Sequence, residues 1–493
     1  MGLKKGQKVT GRVVAMDFPN KGIVEVLPEE NEGITGPVRL RVANAIPGQK
    51  VECAVKRCRK DRAEGRLLEV TELSDLEQNA DSCPHFGICG GCLYQRIPYE
   101  KEVELKRDQI RDLLVPVMGL KSYEQTCEGI VQSPVNNYYR NKMEFTFGDA
   151  YKDGPLSLGL HKKNSFYDIV NTTDCRICER DMTRVLEITV DYFRKKEIPY
   201  YHRMRHTGYL RHLLVRQTTT KELLVDLVTS GETPKQTEGL TVITEESGCS
   251  EADLLEGWKK ALLEGDYDGE IVGILHTTNT READVVEDHG THILYGRDDI
   301  EERILGLTFK ITPFSFFQTN SRGAEVLYSV VRDFVRGSAH HPKAIYDLYS
   351  GTGTIAQIMA DVCEQVIGVE IVEEAVEAAR ENAKINGLSN CRFLAGDVLK
   401  VLDEIEEKPD YIILDPPRDG VHPKALKKIL DYGVTSLIYI SCKPTSLARD
   451  LPVFFENGYK VRKIKIVEMY PGTANCEVVC LLCKENEQKA EAW

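Results

Sequence analysis

No uninterrupted apolar run in this chain approaches the ~18 residues that a membrane-spanning helix needs. The opening Met1-Gly2-Leu3-Lys4-Lys5-Gly6 has no apolar core of the kind a secretory leader carries, so no export is expected. Internal repeats and low-complexity linkers are also missing, which removes solenoids and disordered tethers from consideration. A disulfide framework is disfavoured as well. Fifteen cysteines, an odd number in a long chain, suit reduced thiols, metal ligands or catalysis better. Together these absences predict a cytoplasmic protein with no membrane partner.

At roughly 150 residues per domain, 493 residues predict about three domains. The formal net charge of -13 looks wrong for a nucleic-acid binder, but its distribution matters more. Residues 1–70 hold 14 Lys/Arg against 9 Asp/Glu, a local excess of five positive charges able to meet phosphates.

Residues 1–74 alternate short Val/Ile/Thr-rich runs with glycine turns, the pattern of a small OB-like β-barrel. Its alternative is a barrel used only for packing. A cysteine-rich stretch from Cys83 to Cys92 follows, then a charged amphipathic helix over 99–115. Residues 75–320 read as a strand-rich central α+β domain interrupted by one helix, 182–196. From 321 to 493 strand and helix alternate, with strands at 344–349, 366–370, 391–395, 411–414 and 437–440. That period predicts a doubly wound, Rossmann-like α/β domain whose ligand lies beyond the C-terminal strand ends.

Asp347-Leu348-Tyr349-Ser350-Gly351-Thr352-Gly353-Thr354 runs off the first of these strands. Glycines there permit a tight turn and close backbone approach to a ligand. Glu370 closes the second strand, where a carboxylate can accept from both ribose hydroxyls, and Asp397 follows the third, within reach of an adenine edge. The set indicates an adenosine-containing cofactor. With Ala356 it also satisfies the dinucleotide pattern G-x-G-x-x-A, so an iron–sulfur oxidoreductase using NAD is one alternative. Asp415-Pro416-Pro417-Arg418 and Ser441-Cys442-Lys443-Pro444 follow the fourth and fifth strands. A dehydrogenase has no evident use for a strand-end cysteine, whereas methylation of an unactivated pyrimidine carbon needs a nucleophile.

With these motifs, Phe316-Phe317-Gln318-Thr319-Asn320 and Pro471-Gly472-Thr473-Ala474-Asn475-Cys476-Glu477, the chain resembles the RNA 5-methyluridine methyltransferases nearly end to end. The bacterial 23S ribosomal RNA (uracil-C5) members are the best likeness. The resemblance implies a TRAM-type barrel and an S-adenosylmethionine-dependent methyltransferase domain, with RNA as partner: 23S ribosomal RNA, with transfer RNA the alternative. It assigns Cys442 as nucleophile and Glu477 as base. Gln318, Tyr349, Gly351, Gly353, Glu370, Asp397 and Asp415 fall at cofactor positions, and Phe316 is a candidate for stacking on an extruded base.

Arg140 and Lys142, in Tyr138–Lys142, and the segment 200–206 pair basic with aromatic residues and are candidate RNA contacts. Three residues depart from the family pattern: Ser350 where Cys is common, Lys443 where Asn is common, and no histidine before Glu477. These bear on which uridine is the target. A non-catalytic RNA-binding protein is the remaining alternative class.

Spacing alone suggests a zinc site from Cys89, Cys92, Cys175 and Cys178. The resemblance implies a different set, Cys83, Cys89, Cys92 and Cys175, holding a [4Fe–4S] cluster. Cys476, Cys480 and Cys483 lie in an apolar strand and read as packing residues.

Overall fold

Alternating apolar residues build five strands at the start of the chain: β1 (Lys8–Asp17), β2 (Lys21–Val26), β3 (Val38–Ala43), β4 (Lys50–Arg59) and β5 (Arg62–Glu72). They close into a barrel in the order β1-β2-β3-β5-β4. Val24, Val26, Leu40, Val42 and Val51 are wholly buried inside it. The computed structural model describes residues 3–59, 62–78, 82–231, 250–283, 286–337, 341–402, 405 and 408–484.

After the cysteine-rich loop come α1 (Tyr99–Met118), α2 (Leu120–Thr126) and β6 (Cys127–Val131). A seven-stranded sheet follows, built from β7 (Lys142–Asp149), β8 (Leu156–His161), β9 (Ile169–Asn171), β10 (Leu210–Gln217), β11 (Glu222–Thr229), β12 (Glu270–Thr278) and β13 (Thr291–Gly296). Its order is β13-β12-β11-β10-β7-β8-β9. The predicted helix is present as α3 (Arg180–Lys195), but a second, α4 (Glu251–Leu263), packs beside it. Ser250 and Asp253 form a reciprocal capping box at the start of α4. Its Leu254, Leu255, Trp258 and Leu262 fall on one helical face and are buried.

The hairpin β14 (Ile300–Ile304) and β15 (Leu307–Ile311) leads through the Phe316–Asn320 loop into α5 (Ser321–Arg336). Alternation then begins: β16 (Ala344–Leu348), α6 (Thr354–Met359), β17 (Gln365–Glu370), α7 (Glu373–Ile385), β18 (Cys391–Ala395), α8 (Val398–Val401) and β19 (Tyr411–Leu414). The chain continues through α9 (Pro423–Asp431), β20 (Ser436–Ser441), α10 (Pro444–Glu456), β21 (Tyr459–Val467) and β22 (Glu477–Lys484).

The resulting eight-stranded sheet has the order β18-β17-β16-β19-β20-β22-β21-β6. Its order reverses between β16 and β19, the switch point where such sheets take ligands. Both faces are covered. Ile345, Ile413, Ile438 and Leu481 pack on one side, and Tyr346, Ile412, Leu437 and Leu482 on the other, as period-two strands require. β6, although it precedes the central sheet in the chain, is the edge strand here, parallel to β21. Helix α1 packs on α10, so the segment after the cysteine loop belongs to the same core as β21 and β22.

Candidate active site

β17, β16, β19 and β20 run parallel, so their C-terminal ends lie along one edge of the eight-stranded sheet. At β16, Tyr349 takes a left-handed conformation (φ 69°) and the chain turns through Gly351 (φ 53°) and Gly353 (φ 76°). The two glycines differ in kind. A Cβ on Gly353 would lie 2.6 Å from the Phe393 ring, so that glycine permits close packing. A Cβ on Gly351 would meet nothing within 4 Å, so the backbone there faces open space where a ligand can approach.

Glu370 ties this loop to β17. Its Oε2 accepts from Gly351 N–H at 3.0 Å, and Oε1 from Ile371 and Val372 N–H at 2.8 and 3.0 Å. Oε1 is thus filled by two donors, while Oε2 keeps a lone pair for a further one. Asp397 caps α8 through Leu399 N–H at 2.9 Å. Burial, then the Asp397 carboxylate, raise the Tyr349 hydroxyl above its usual range, so Tyr349 and Asp397 are near neighbours. Ile371 leaves 69% of its surface exposed beside Glu370, an apolar face that residue spacing did not single out. The residues present therefore fit an adenosine group: an open glycine turn, an acceptor at the ribose position and an exposed apolar side chain.

The second half of the site is made by β19, β20 and β22. Ser441 pairs with Val478 in the antiparallel β20–β22 register, so Cys442 and Glu477, one residue on and one residue back, lie opposite each other. Burial pushes the Glu477 carboxyl up to about 8, with the Asp415 charge adding to it and Arg418 opposing. Asp415 rises to about 7 through burial alone. The Cys442 thiol rises to about 11 by burial, then by the charges of Glu477 and Asp415, with Arg418 again opposing. Three acidic groups therefore share a dry site with one guanidinium, an arrangement that holds protons on them until something removes those protons.

Gln318 is buried and its Oε1 accepts from Tyr470 OH at 3.0 Å. Tyr470 is itself shifted upward by burial, then by Glu477, and is near Cys442 and Arg140. Tyr328, from α5, is buried beneath Asp415 and Glu477. Arg418, Tyr470 and Tyr328 were not picked out by sequence reasoning. Arg418 lay in a quoted motif, but the tyrosines stand on helix and loop positions with no spacing signal.

Phe316 is 70% exposed on the loop that carries Gln318, a large ring held in solvent next to the site. Arg140 lies close enough to Tyr470 for its charge to be felt there. Lys142 is half-buried and paired with Glu144 at 2.7 Å, so part of its charge is already used. Tyr139 is buried, donating to Pro471 O at 2.8 Å, and offers no stacking surface. Segment 200–206 lines an open cleft of about 1260 Å3 in the central sheet, whose lining includes none of the residues around Cys442. On the barrel, Lys8, Arg12, Arg41 and Lys50 pair with Glu52, Glu72, Asp17 and Glu30, which reduces the positive charge it offers to phosphates.

The cysteine loop gathers Cys83, Cys89, Cys92 and Cys175. Cys92 feels the charges of Cys175, Cys89 and Cys83, and Cys175 those of Cys83 and Cys89. N–H groups point at the sulfurs: Gly91 N–H donates to Cys89 Sγ at 3.4 Å, Gln95 Nε2–H to Cys92 Sγ at 3.7 Å, and Ile177 and Cys178 N–H to Cys175. Cys178 is fully buried in the core of the central sheet, where it feels Cys175, Arg140 and Glu179 but not Cys83, Cys89 or Cys92. Among the described residues, no three His, Cys, Asp or Glu side chains are gathered as a single ion requires. Neither the zinc set suggested by spacing nor the [4Fe–4S] set implied by the resemblance is therefore gathered into a metal-type cluster among the described residues. His202 and His206 sit in a turn and contact Met204 N–H and Tyr201 OH respectively. Cys480 and Cys483 in β22, and Cys476 just before it, are buried as packing residues.

A doubly wound sheet with a glycine turn, an acidic β17 end and an Asp-Pro-Pro strand end defines a methyltransferase, and residues 340–465 match the family described as "Methyltransferase domain". A protein of Clostridium tetani named "Uncharacterized RNA methyltransferase" is 44% identical over 483 residues, covering 97% of this chain and 98% of the relative. One of the same name from Porphyromonas gingivalis is 32% identical over 465 residues, covering 90% and 95%. The chain belongs to the RNA methyltransferases. Its fold matches that of the Pyrococcus abyssi tRNA (uracil-54, C5)-methyltransferase in complex with S-adenosyl-L-homocysteine, with TM-score 0.67 and 23% identity, over 96% of this chain and 100% of that one. The NAD oxidoreductase alternative has no counterpart among these likenesses.

Proposed function

We propose that this RNA methyltransferase transfers a methyl group from S-adenosylmethionine to C5 of a uridine in 23S ribosomal RNA, through a covalent bond between Cys442 and uracil C6. The observation that carries the reading is the thiol and the carboxyl brought face to face across β20 and β22 at the ligand end of the sheet.

Uracil C5 is a weak nucleophile. Addition of the Cys442 thiolate to C6 pushes the ring electrons into an enolate, whose C5 then bonds to the methyl carbon. The cofactor supplies that methyl as an electrophile and leaves as a neutral thioether. Glu477 next takes the C5 proton; the C–H electron pair forms the C5–C6 double bond, and the C6–S bond cleaves to return Cys442 as thiolate. Glu370, Gly351, Gly353, Tyr349 and Asp397 hold the adenosine end. Gln318 and Asp415 hold the end nearer the reacting carbon. Phe316 stacks on the extruded uracil, and Arg140 and Lys142 meet flanking phosphates.

Cys83, Cys89, Cys92 and Cys175 hold a [4Fe–4S] cluster in this reading. The reaction moves a methyl group and a proton and no electrons, so the cluster organises the chain around it. A second reading, transfer RNA as substrate, draws on the uracil-54 target named for the archaeal enzyme of the same fold.

The test is to incubate the protein with methyl-labelled S-adenosylmethionine and separate ribosomal and transfer RNA pools, then digest to nucleosides. Label in 5-methyluridine from ribosomal RNA is the expected result. Label confined to transfer RNA selects the second reading, and label in any other nucleoside overturns the uracil assignment.

A further inference from the structure

Lys106 is the one lysine among the described residues with no exposure at all, and nothing in the proposed chemistry uses it. It stands about two turns into α1 and its ammonium meets two buried carboxylates, Glu102 at 2.8 Å and Glu468 at 2.9 Å. It also donates to Tyr470 O at 3.3 Å. A buried triad of this kind is weak evidence for stability, because desolvating the charges offsets their attraction and an apolar trio of similar volume often serves as well. What the charges can fix is direction.

The element they direct is the loop between β21 and β22, whose ends are paired as Val467 and Glu477. Glu468 Oε1 accepts from Tyr470 N–H at 3.0 Å, and Glu102 Oε1 from Gly472 N–H at 2.8 Å. Gly472 O accepts from both Leu93 and Tyr94 N–H, at 2.8 and 2.9 Å, directly after Cys92. Met469 O is held by Asn320 at 2.7 Å and Pro471 O by Tyr139 at 2.8 Å. Four separate parts of the chain, together with the adjoining Glu468, thus grip four consecutive residues, 469–472. Gly472 has no room to adapt: its φ is 78°, and a Cβ there would lie 2.6 Å from Gln95 Nε2, the atom that donates to Cys92.

We propose that Lys106, with the Leu93 and Tyr94 amides, is a positioning clamp on the 468–476 loop that sets Glu477 for removal of the C5 proton. The inference rests on the reaction proposed above, and extends it by separating two steps. Cys442 directly follows β20, outside the gripped residues 469–472. Loosening the clamp therefore leaves bond formation at C6 and methyl transfer intact and slows only the release of Cys442. It also ties the cysteine loop to the base: Cys92, Leu93 and Tyr94 are consecutive, so disorder at the thiols reaches Gly472 through one hydrogen-bonded step.

The experiment compares full-length wild type with two variants. One, Glu102→Gln/Lys106→Met/Glu468→Gln, removes the charges together while keeping amide oxygens for the Tyr470 and Gly472 N–H groups. The other, Gly472→Ala, disturbs the clamp without touching a charge. Each is mixed with S-adenosylmethionine and transcripts of 23S ribosomal RNA and transfer RNA, made with uridine or with 5-fluorouridine, and run on denaturing gels.

The clamp predicts that both variants trap 5-fluorouridine RNA within about twofold of the wild-type rate, while turnover on ordinary RNA falls at least about tenfold. A covalent, methylated protein–RNA band should then accumulate with ordinary uridine, where the wild type shows none. Trapping and turnover falling together in both variants would mean a merely structural role and would overturn the proposal, as would unchanged turnover. If the wild type itself forms no adduct with 5-fluorouridine RNA, the covalent reading fails first and takes the clamp with it.

Discussion

Gly351 donates its N–H to Glu370 Oε2 at 3.0 Å, and this single bond joins the glycine turn of β16 to the end of β17. The carboxylate thus shapes the pocket and keeps one lone pair, on Oε2, for a ligand. Hydrogen bonds to a charged group contribute about 1.5–3 kcal/mol each. Glu370→Ala should therefore weaken S-adenosylmethionine binding at least about tenfold in a calorimetric titration. Affinity equal to wild type would show that the ribose is held elsewhere.

The raised Cys442 thiol, about 11, and Glu477 carboxyl, about 8, must both lose protons for the reaction, so single-turnover methylation should rise with pH through 8. Arg418 is the cation opposing both shifts. Arg418→Gln should slow the reaction at pH 7.5 by about three- to tenfold, with the gap narrowing as pH increases. A gap constant across pH would instead mark Arg418 as an RNA contact.

The same burial sets a stability trend. Folded Glu477, at about 8, lies above its usual value of 4.5, and Asp415, at about 7, above 3.8. A carboxyl raised on folding contributes stability that is complete below its unfolded pKa and is lost as pH rises through the folded one. Between pH 4.5 and 8 the wild type should lose stability that Glu477→Gln does not, a difference on the order of a few kcal/mol. Thermal melts should show the variant gaining on the wild type from pH 5 to pH 8. A gap independent of pH would contradict the assignment.

The cysteine set is separable by substitution. On the proposed cluster reading, Cys175→Ser should abolish iron and sulfide content in protein purified without oxygen, while Cys178→Ser, at a thiol that does not act on Cys92, should keep about four irons per chain. Loss of iron in both would restore the zinc-like spacing set.

Much of this was legible in residue order. The five strands from β16 to β20 follow continuous apolar runs bounded by turns, and Cys391–Ala395 and Tyr411–Leu414 coincide with the runs that predicted them. The helix α4 was missed because its Leu254, Leu255, Trp258 and Leu262 pattern is short and follows an acidic stretch of sequence. Tyr139 looked like a stacking ring because chain order carries no record of Pro471, its partner 332 positions away. The Cys442–Glu477 pairing is likewise a matter of register: 35 residues separate them, and only the β20–β22 ladder brings them opposite. Lys106 was unremarked inside a charged helix, since nothing local distinguishes a solvated lysine from a buried one.

The most direct measurement of the central claim is a trapping experiment on the wild type and Cys442→Ala with S-adenosylmethionine and 5-fluorouridine RNA. Fluorine at C5 cannot leave as a proton, so Glu477 has nothing to remove and the C6–S bond persists. The account predicts a slow-migrating protein–RNA band, carrying the transferred methyl, that disappears in Cys442→Ala. Methyl transfer by the wild type with no such band, or an equal band from Cys442→Ala, would contradict it.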